Sequence, residues 1–294
     1  MYVVVGANGF LGSYFIKNIL ANTSERILAI ARTPMHDTHE RIHWVSCDIT
    51  DSKDVIALND SYLKHSSQNK VIYLAAYHHP DLVEKNPRIA WNVNVTSLSF
   101  FLNSIDNVSS FYYPSSDSVY GESVGEHYFN EADSLQPVNR YGVQKSVAEK
   151  IVTGYGHRVV RYPFLIGPSL LENKKHFYDT IVSTIAAGKT MEMFRDSRRS
   201  AISFDMAAKL VIRLIEAKNL NVPQILNVCG DDALSKYDIG LMIADKIGAS
   251  RDLIKPISIH QDNGVFETKR AASTLMDNSH LKELLGVSEI KLEL

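Results

Sequence analysis

A tyrosine and a lysine stand four positions apart in QPVNRYGVQKSVAEK, residues 136–150, a stretch that has the pattern of a helix start. Residues four apart share a helix face, so Tyr141 and Lys145 are expected to project side by side. A fixed ammonium beside a phenol favours the phenolate and lowers the tyrosine's pKa, which suits proton transfer near neutral pH. The alternative is an amphipathic helix on which Tyr141 packs and Lys145 is solvated. The pair alone does not decide between the two.

A glycine-rich loop lies between the first apolar run and the first helical stretch. The motif GANGFLG places Gly6, Gly9 and Gly12 at this junction. Glycine there allows a tight turn, a close approach of the backbone to a pyrophosphate, and close packing of helix on strand. The position predicts dinucleotide binding, and the alternative is a glycine-rich turn without a ligand.

The second apolar run ends in arginine rather than in an acidic residue. Enzymes that use NAD usually carry Asp or Glu about twenty residues beyond the glycine motif, where the carboxylate binds ribose hydroxyls. Here Arg32 holds that place and Thr33 follows it. A guanidinium suits a 2′-phosphate, so the sequence favours NADP (NADPH) over NAD as the cofactor. A solvated loop arginine is the alternative.

Hydroxyl groups follow the fifth apolar run. In YYPSSDSVYG, the residues Ser115, Ser116 and Asp117 come where the carboxyl ends of parallel strands form a ligand crevice. A hydroxyl in that crevice could bind a substrate oxygen. A serine cluster hydrogen-bonded within a turn is the alternative.

Alternating strands and helices must position these residues. Short β-branched runs alternate with helical stretches at residues 2–5, 26–31, 41–46, 70–76, 110–116 and 157–162. This pattern predicts an α/β fold with a Rossmann-type doubly wound parallel sheet covered on both faces.

The alternation loosens after about residue 166. Helices are expected within 172–218, on both sides of a polar loop, and at 235–248 and 278–285, with a strand in 225–230. We therefore predict an NAD(P)-binding domain over residues 1–165, with a returning segment near 200–230. Residues 166–294 are expected to form mainly a smaller α/β substrate-binding domain.

Composition limits the partners. The 294 residues carry 31 Lys and Arg against 33 Asp and Glu, a formal net charge of -2, which favours neither nucleic acid nor a membrane surface. Cys47 and Cys229 lie far apart and outside any CxxC motif, so we expect neither a disulfide framework nor a metal site. The apolar opening MYVVV is too short for a secretion signal or a membrane span. We expect a cytoplasmic protein that acts on a small molecule.

Four signatures occur in order along the chain: GANGFLG, CDITD, SSDSVYG and PVNRYGVQK. Together with WNVNVTS, RYPFLIGP, RRSAISFDMA and ILNVCG they extend over nearly the whole sequence. The sequence resembles the extended short-chain dehydrogenases/reductases, the NAD(P)-dependent epimerase/dehydratase family, which act largely on nucleotide-linked sugars. The resemblance implies a catalytic triad of Ser116, Tyr141 and Lys145. Tyr141 would transfer the proton, Lys145 would lower its pKa and hold the nicotinamide ribose, and Ser116 would hydrogen-bond the substrate oxygen.

The resemblance also implies the surroundings of the cofactor. The glycine motif would hold the pyrophosphate, Asp48 and Ile49 would border the adenine, and Asn94 would support Lys145. Ala75 and Ala76 would line the nicotinamide side. The residues expected to bind the cofactor are Gly6, Asn8, Gly9, Phe10, Leu11, Gly12, Arg32, Asp48, Ile49, Ala75, Ala76, Asn94, Tyr141 and Lys145.

The next question is which reaction of this family the sequence favours. Dehydratases of the family carry an Asp-Glu pair after the hydroxyl residue, whereas Ser116 is followed here by Asp117 and a second serine. Asp117, the chain length, and Arg270 seven positions before Asp277 resemble the dTDP-4-dehydrorhamnose reductases. We therefore expect reduction of a 4-keto nucleotide sugar with NADPH.

Two alternatives remain. GANGFLG, SVYG and the long segment 26–50 resemble the epimerases, so an NAD-dependent nucleotide-sugar 4-epimerase is one of them. The other belongs to a different class: a non-catalytic dinucleotide-binding regulatory subunit, since a fold does not guarantee an activity.

Arginines are expected on the substrate side. FRDSRRS carries Arg195, Arg198 and Arg199. Guanidinium groups bind diphosphate oxygens bidentately, and the resemblance places a nucleotide-phosphate arginine at Arg198. The residues expected to bind substrate are Asp117, Arg198 and Arg270.

The sequence also gives expectations for two histidines and for the oligomeric state. His78 and His79 follow the fourth strand and are expected near the crevice rim, where loop histidines are more often bystanders than catalysts. The resemblance implies a homodimer built from helices around 81–105 and 140–153.

Overall fold

The apolar runs form strands close to the predicted bounds. In the computed structural model, residues 1–35, 39–217, 219–261 and 267–294 are described. The strands are β1 Tyr2–Val5, β2 Ile27–Ala31, β3 Ile42–Ser46, β4 Asn69–Tyr73, β5 Val108–Ser116, β6 Tyr128–Phe129, β7 Arg158–Tyr162, β8 Leu165–Ile166, β9 Met191–Phe194, β10 Arg198–Arg199, β11 Ile202–Ser203, β12 Ile225–Asn227, β13 Leu234–Ser235, β14 Ile254–Ile257 and β15 Leu275–Met276.

Helices connect most of the long strands. They are α1 Phe10–Asn22, α2 Ser52–Leu58, α3 Pro80–Lys85, α4 Pro87–Trp91, α5 Ser97–Ser104, α6 Arg140–Gly154, α7 Phe177–Ala186, α8 Phe204–Glu216, α9 Lys236–Ile247 and α10 Ser279–Leu285. Two π-helical turns, Asn59–Leu63 and Asn92–Thr96, continue α2 and α4. Short 3₁₀ turns occupy Asp117–Val119, Val124–Glu126 and Arg251–Leu253.

The central sheet has seven strands in the order β12-β7-β5-β4-β1-β2-β3. Every neighbouring pair is parallel, and Val5 at the end of β1 lies opposite Ile30 of β2 and Tyr73 of β4. The predicted Rossmann-type doubly wound sheet is thereby confirmed. Because the strand order reverses between β1 and β4, a crevice forms at the carboxyl ends of these strands.

Helices cover both faces of the sheet, which explains why β1 and β2 are buried along their whole length. Alternate residues of β1 point to opposite faces. Val4 belongs to a core with Phe15 of α1 and Val211 of α8. Val3 belongs to a core with Phe101 of α5 on the other face.

A separate apolar core holds the C-terminal elements together. It joins α7 and α9 through Ile181 and Ile243, and it includes Met193 and Ile254 from the paired strands β9 and β14. The chain returns to the main sheet as α8, which packs on α1, and as β12, the strand at its edge.

A buried ion pair fixes α6 on the sheet. Arg161 of β7 donates Nε and Nη2 to the Glu149 carboxylate of α6, with the shortest contact at 2.7 Å. Its Nη1 donates to the Tyr120 hydroxyl at 2.7 Å, and that hydroxyl donates to Asn227 at 2.8 Å. All four side chains are buried, so the position of α6 along the sheet is closely specified.

Within the described ranges, no helix has the length and apolar character needed to cross a membrane.

Candidate active site

A cavity of about 510 Å³ lies at the carboxyl ends of β1, β4 and β5. Its size is within the usual range for a small-molecule site, roughly 300–1,000 Å³. Gly6 and Phe10 line it together with Ser116 and Tyr141, and Lys236 of α9 lines it as well. Both parts of the fold therefore contribute to one site.

The glycine motif forms a cradle without room for side chains. Gly6 has a φ of +87°, which L side chains rarely adopt. A Cβ at Gly12 would lie 2.6 Å from the Gly6 carbonyl oxygen, and a Cβ at Gly6 would lie 2.9 Å from the Ala75 nitrogen. The cradle suits a pyrophosphate at the N-terminus of α1, because backbone N–H groups can approach it directly. The motif residues that line the cavity are Gly6, Gly9, Phe10, Leu11 and Gly12.

The structure brings Ser116, Tyr141 and Lys145 to one cavity. The Asn139 side chain caps α6 by accepting a hydrogen bond from the Gly142 N–H at 3.0 Å, which starts the helix just before Tyr141. Ser116 is the last residue of β5. A helix cap and a strand end thus place the three groups that the sequence pattern singled out.

Lys145 is buried and bonded to the sheet. Its Nζ donates to the Tyr113 hydroxyl at 3.0 Å and to the Pro114 carbonyl at 2.8 Å. Burial lowers the pKa of Lys145 to about 7, and Glu149 opposes this shift. Since Glu149 is bound to Arg161 by three hydrogen bonds, its charge is largely compensated.

Burial raises the pKa of Tyr141, the charge of Asp117 raises it further, and a hydrogen bond with Ser116 lowers it. We expected Lys145 to lower the pKa of Tyr141. This expectation is wrong, because the pKa of Tyr141 is raised overall. The Lys145 nitrogen lies 5.9 Å from the centroid of the Tyr141 ring and is bonded to β5 instead. Tyr141 is consequently a protonated phenol at neutral pH.

Asp117 lies directly beside Ser116. The Ser116 hydroxyl donates to Asp117 Oδ1 at 2.9 Å, and Arg199 Nε lies 3.2 Å from Asp117 Oδ2. Burial raises the pKa of the Asp117 carboxyl, while Arg199 and the hydrogen bonds from Ser116 and Ser118 oppose the shift. Asp117 thus links the serine to a cation of the C-terminal part.

The structure places Arg199, rather than Arg198, in the cavity. Arg199 lines it and donates to the carbonyls of Ala271 and Ala272 at 2.7 and 2.8 Å. Arg198 is exposed, and it is not among the described residues that line the cavity. The strand pairing of β10 with β13 turns adjacent side chains to opposite sides, which the sequence motif could not indicate.

Two further cations line the cavity near Arg199. Arg270 is one of them, and its Nη2 donates to Asp81 at 3.0 Å. Lys236, the first residue of α9, was not identified from the sequence because no motif marks it. Burial lowers the pKa of Lys236 to about 8, and the charges of Arg270 and Arg199 add to the effect.

The residues expected around the adenine lie at the outer edge of the sheet. Arg32 is exposed at the end of β2. The N–H and hydroxyl of Thr50 lower the pKa of Asp48, and Arg32 contributes to the same shift. Asn8 donates to the Thr33 carbonyl at 3.0 Å, which joins the glycine loop to this edge.

The remaining residues expected at the cofactor differ in position. Ala76 lines the cavity, Ala75 packs against Gly6, and Ile49 is buried. The Asn94 side chain donates to Gln144 at 2.8 Å and to the Tyr77 carbonyl at 3.1 Å. Any support of Lys145 by Asn94 is therefore indirect, through the neighbouring residue of α6.

Two histidines line the cavity. Burial lowers the pKa of His78, and it lowers the pKa of His176 to about 4. The His176 ring lies edge-on to Phe10, with centroids 5.0 Å apart. Both rings are accordingly neutral near pH 7. In the part of the chain that the structure describes, no group of three or more His, Cys, Asp or Glu residues could hold a metal ion.

Comparison with known proteins gives matches over the full length. The family model described as RmlD substrate binding domain matches residues 1–292. The probable low-salt glycan biosynthesis reductase Agl14 of Haloferax volcanii is 28% identical over 99% of this chain and 94% of its own length. Methionine adenosyltransferase 2 subunit beta of Bos taurus is 24% identical over 98% of this chain and 83% of its own length.

Solved structures share the fold. MoeE5 in complex with UDP-glucuronic acid and NAD has a TM-score of 0.78 and 20% identity, over 99% of this chain and 94% of its own. The dTDP-4-dehydrorhamnose reductase of Bacillus anthracis in complex with NADP has a TM-score of 0.77 and 18% identity, over 99% and 94% of the two chains. At these identities the likeness shows the fold alone.

Proposed function

The chain belongs to the RmlD substrate binding domain family, and from this premise we propose that it reduces the 4-keto group of a nucleotide sugar with NADPH. One observation carries the proposal: Ser116, Tyr141 and Lys145 meet in a cavity that also contains the glycine cradle. The relative named as a glycan biosynthesis reductase supports the same class of reaction.

The protein's own groups would handle the proton and the developing charge. The cradle of Gly6, Gly9 and Gly12 would hold NADPH, which would supply the hydride for the carbonyl carbon. Tyr141 donates its phenolic proton to the carbonyl oxygen, on which negative charge grows. Ser116 turns its hydroxyl from Asp117 to the same oxygen and stabilises that charge.

The raised pKa of Tyr141 suits its proposed role as proton donor. A reduction needs a proton donor, and burial together with Asp117 favours the protonated phenol. A 4-epimerase would begin with an oxidation, in which the tyrosine accepts a proton.

Arg32 supports NADPH as the cofactor. Its guanidinium is exposed at the carboxyl end of β2, beside Asp48, where an adenosine ribose is bound in this type of sheet. A 2′-phosphate there would gain a charge-assisted hydrogen bond from the guanidinium. Among proteins of this fold, one solved structure contains NADP and another contains NAD.

Three cations support a phosphorylated substrate. Arg199, Arg270 and Lys236 all line the cavity and come from three separate segments. Their positive charge would attract a nucleotide diphosphate, whose sugar would then extend toward Ser116 and Tyr141.

A non-catalytic regulatory subunit is the second candidate, because one relative is named as subunit beta of methionine adenosyltransferase 2. In that case the cradle would bind a dinucleotide without turnover. The complete triad makes the reductase the better-supported proposal.

We further propose a homodimer formed through α4 and α6. Ile89, Trp91 and Val143 are large apolar side chains that remain exposed on these helices, and Ile89 is 57% exposed. A shallow groove between them is lined by Pro87, Arg88, Trp91, Arg140, Val143 and Gln144. A second copy related by a two-fold axis would cover this apolar surface with the same residues.

Replacing Tyr141 by phenylalanine tests the mechanism. We expect NADPH oxidation with a dTDP-4-keto sugar to fall by about 10²–10⁴-fold in kcat, because general-acid catalysis is lost. Cofactor binding, measured by fluorescence titration, should stay the same, since the phenol acts mainly in the transition state. The matched control is Tyr155→Phe, at the exposed end of α6.

Full activity in Tyr141→Phe would contradict the mechanism. Dinucleotide binding without turnover in the wild-type protein, for every keto-sugar nucleotide, would favour the regulatory subunit. Tightly held NAD, released only on denaturation, would favour the epimerase.

Arg32→Ala tests the cofactor preference. Loss of one charge-assisted contact, roughly 1.5–3 kcal/mol, should raise the Kd for NADPH about 10- to 100-fold and leave the Kd for NADH unchanged. Isothermal titration with both cofactors measures this difference. An equal change for the two cofactors would rule out a 2′-phosphate contact.

Neighbouring arginines provide a matched test of the substrate site. Arg199→Gln should raise the KM for the nucleotide sugar about tenfold or more, because one of the three cations that line the cavity is lost. Arg198→Gln should change it less than about twofold, as expected of an exposed surface side chain. Steady-state kinetics decides, and a larger effect at Arg198 would restore the sequence-based assignment.

Ile89→Glu tests the dimer. A buried, unpaired carboxylate at the two-fold interface is strongly unfavourable, so the variant should sediment as a monomer where the wild type sediments as a dimer. Leu170→Glu, at another exposed apolar residue, is the control and should leave the dimer intact. A monomeric wild type would refute this interface.

A further inference from the structure

The amino group of Lys145 is anchored to the central strand β5. Two of its three N–H donors go to Tyr113 Oη at 3.0 Å and to the Pro114 carbonyl at 2.8 Å. The nitrogen lies 4.4 Å from the centroid of the Tyr113 ring, against 5.9 Å for the ring of Tyr141. The nearer phenol is therefore that of Tyr113, rather than that of Tyr141, which the sequence pattern pairs with Lys145.

Tyr113 is held rigidly. It lies in β5, between β4 and β7 at the middle of the sheet, and opposite Val159 in the parallel ladder. Its side chain is buried, and its ring packs near that of Tyr73, with centroids 6.4 Å apart. The hydroxyl that accepts from Lys145 thus has a position set by the sheet and independent of any ligand.

We propose that Tyr113 is a positioning residue, whose hydroxyl holds the Lys145 amino group in its charged form at the cavity wall. One N–H then remains for the cavity, which Lys145 lines. This role rests on the proposed function and on the contact with the cofactor ribose that the family resemblance implies for Lys145. The ribose contact is thereby prepared before the cofactor arrives, which reduces the ordering that binding requires.

The groups around Lys145 provide little other stabilisation of its charged form, so the neutral hydroxyl of Tyr113 becomes important. Glu149 lies one turn further along α6, but Arg161 of β7 binds it. His78, after β4, is a neutral ring whose pKa is lowered by burial and then by Lys145 itself. Tyr141, on the same helix, is a protonated phenol. A hydrogen bond accepted from the ammonium favours the charged lysine, so Tyr113 stabilises the charge that burial opposes.

Loss of the Tyr113 hydroxyl is expected to lower the pKa of Lys145. Burial places the pKa of Lys145 at about 7, so the amine is only partly charged near neutral pH. Without the Tyr113 hydroxyl the charged form loses an acceptor and the pKa must fall. A fall of about one pH unit would reduce the charged fraction at pH 7 from about one half to about one tenth.

Tyr113→Phe and Tyr112→Phe form a matched pair. Both remove one hydroxyl from β5 and keep the ring, and the two residues are adjacent, buried, and directed to opposite faces of the sheet. The protein is labelled with ¹³C at lysine Cε, and the Lys145 signal is assigned by its loss in Lys145→Arg. A titration by NMR then gives the pKa without substrate or cofactor.

We expect the pKa of Lys145 to fall by about one pH unit in Tyr113→Phe and to stay unchanged in Tyr112→Phe. The high-pH limb of kcat/KM for the reduction should move to lower pH in Tyr113→Phe alone. An unchanged titration in Tyr113→Phe would overturn the inference, as would an equal shift in both variants. A wild-type protein without turnover would overturn the proposed function, whereas the NMR titration would still decide the role of Tyr113.

Discussion

The buried ion pair between Glu149 and Arg161 is the constraint on which the site depends. Removing two charges from water is costly, and their attraction offsets that cost only while the hydrogen-bonded geometry of the pair is kept. Glu149 lies four residues after Lys145 and eight after Tyr141, and all three project from one side of α6. Fixing Glu149 on β7 therefore fixes the height and rotation of both functional side chains.

The same ion pair sets the electrostatics of the site. Because Glu149 is committed to Arg161, it compensates only part of the cost of burying Lys145, whose pKa lies at about 7. Lys145 turns instead to a hydroxyl and a carbonyl of β5. Tyr141 is left with burial and Asp117 as its main influences, and both raise its pKa. A protonated phenol beside a partly charged lysine is suited to donating a proton.

The central sheet and the C-terminal elements both contribute residues to the cavity. The sheet supplies the glycine cradle and Ser116 at the ends of parallel strands, where a dinucleotide fits. The C-terminal elements supply the cavity-lining cations Arg199, Arg270 and Lys236, which the proposed function assigns to an anionic substrate. The relatives include a protein named as a reductase and one named as a subunit of a transferase, which agrees with the principle that function resides in the site rather than in the fold.

The sequence by itself determined the features that depend on local spacing. Alternating apolar runs predicted the parallel sheet, with β2 observed at Ile27–Ala31 for a predicted 26–31. Likewise, the interval between Tyr141 and Lys145 predicted a shared helix face. These inferences hold because the strand and helix periods are properties of the backbone.

Only the tertiary structure decided the solvation and the long-range partners of these residues. It turned Arg199 rather than Arg198 into the cavity, added Lys236 from α9, and bonded Lys145 to Tyr113. It also reversed the expected direction of the Tyr141 pKa. Spacing along a chain identifies which side chains share a face, but a pKa depends on burial and on charges brought from distant segments, and those are set by packing.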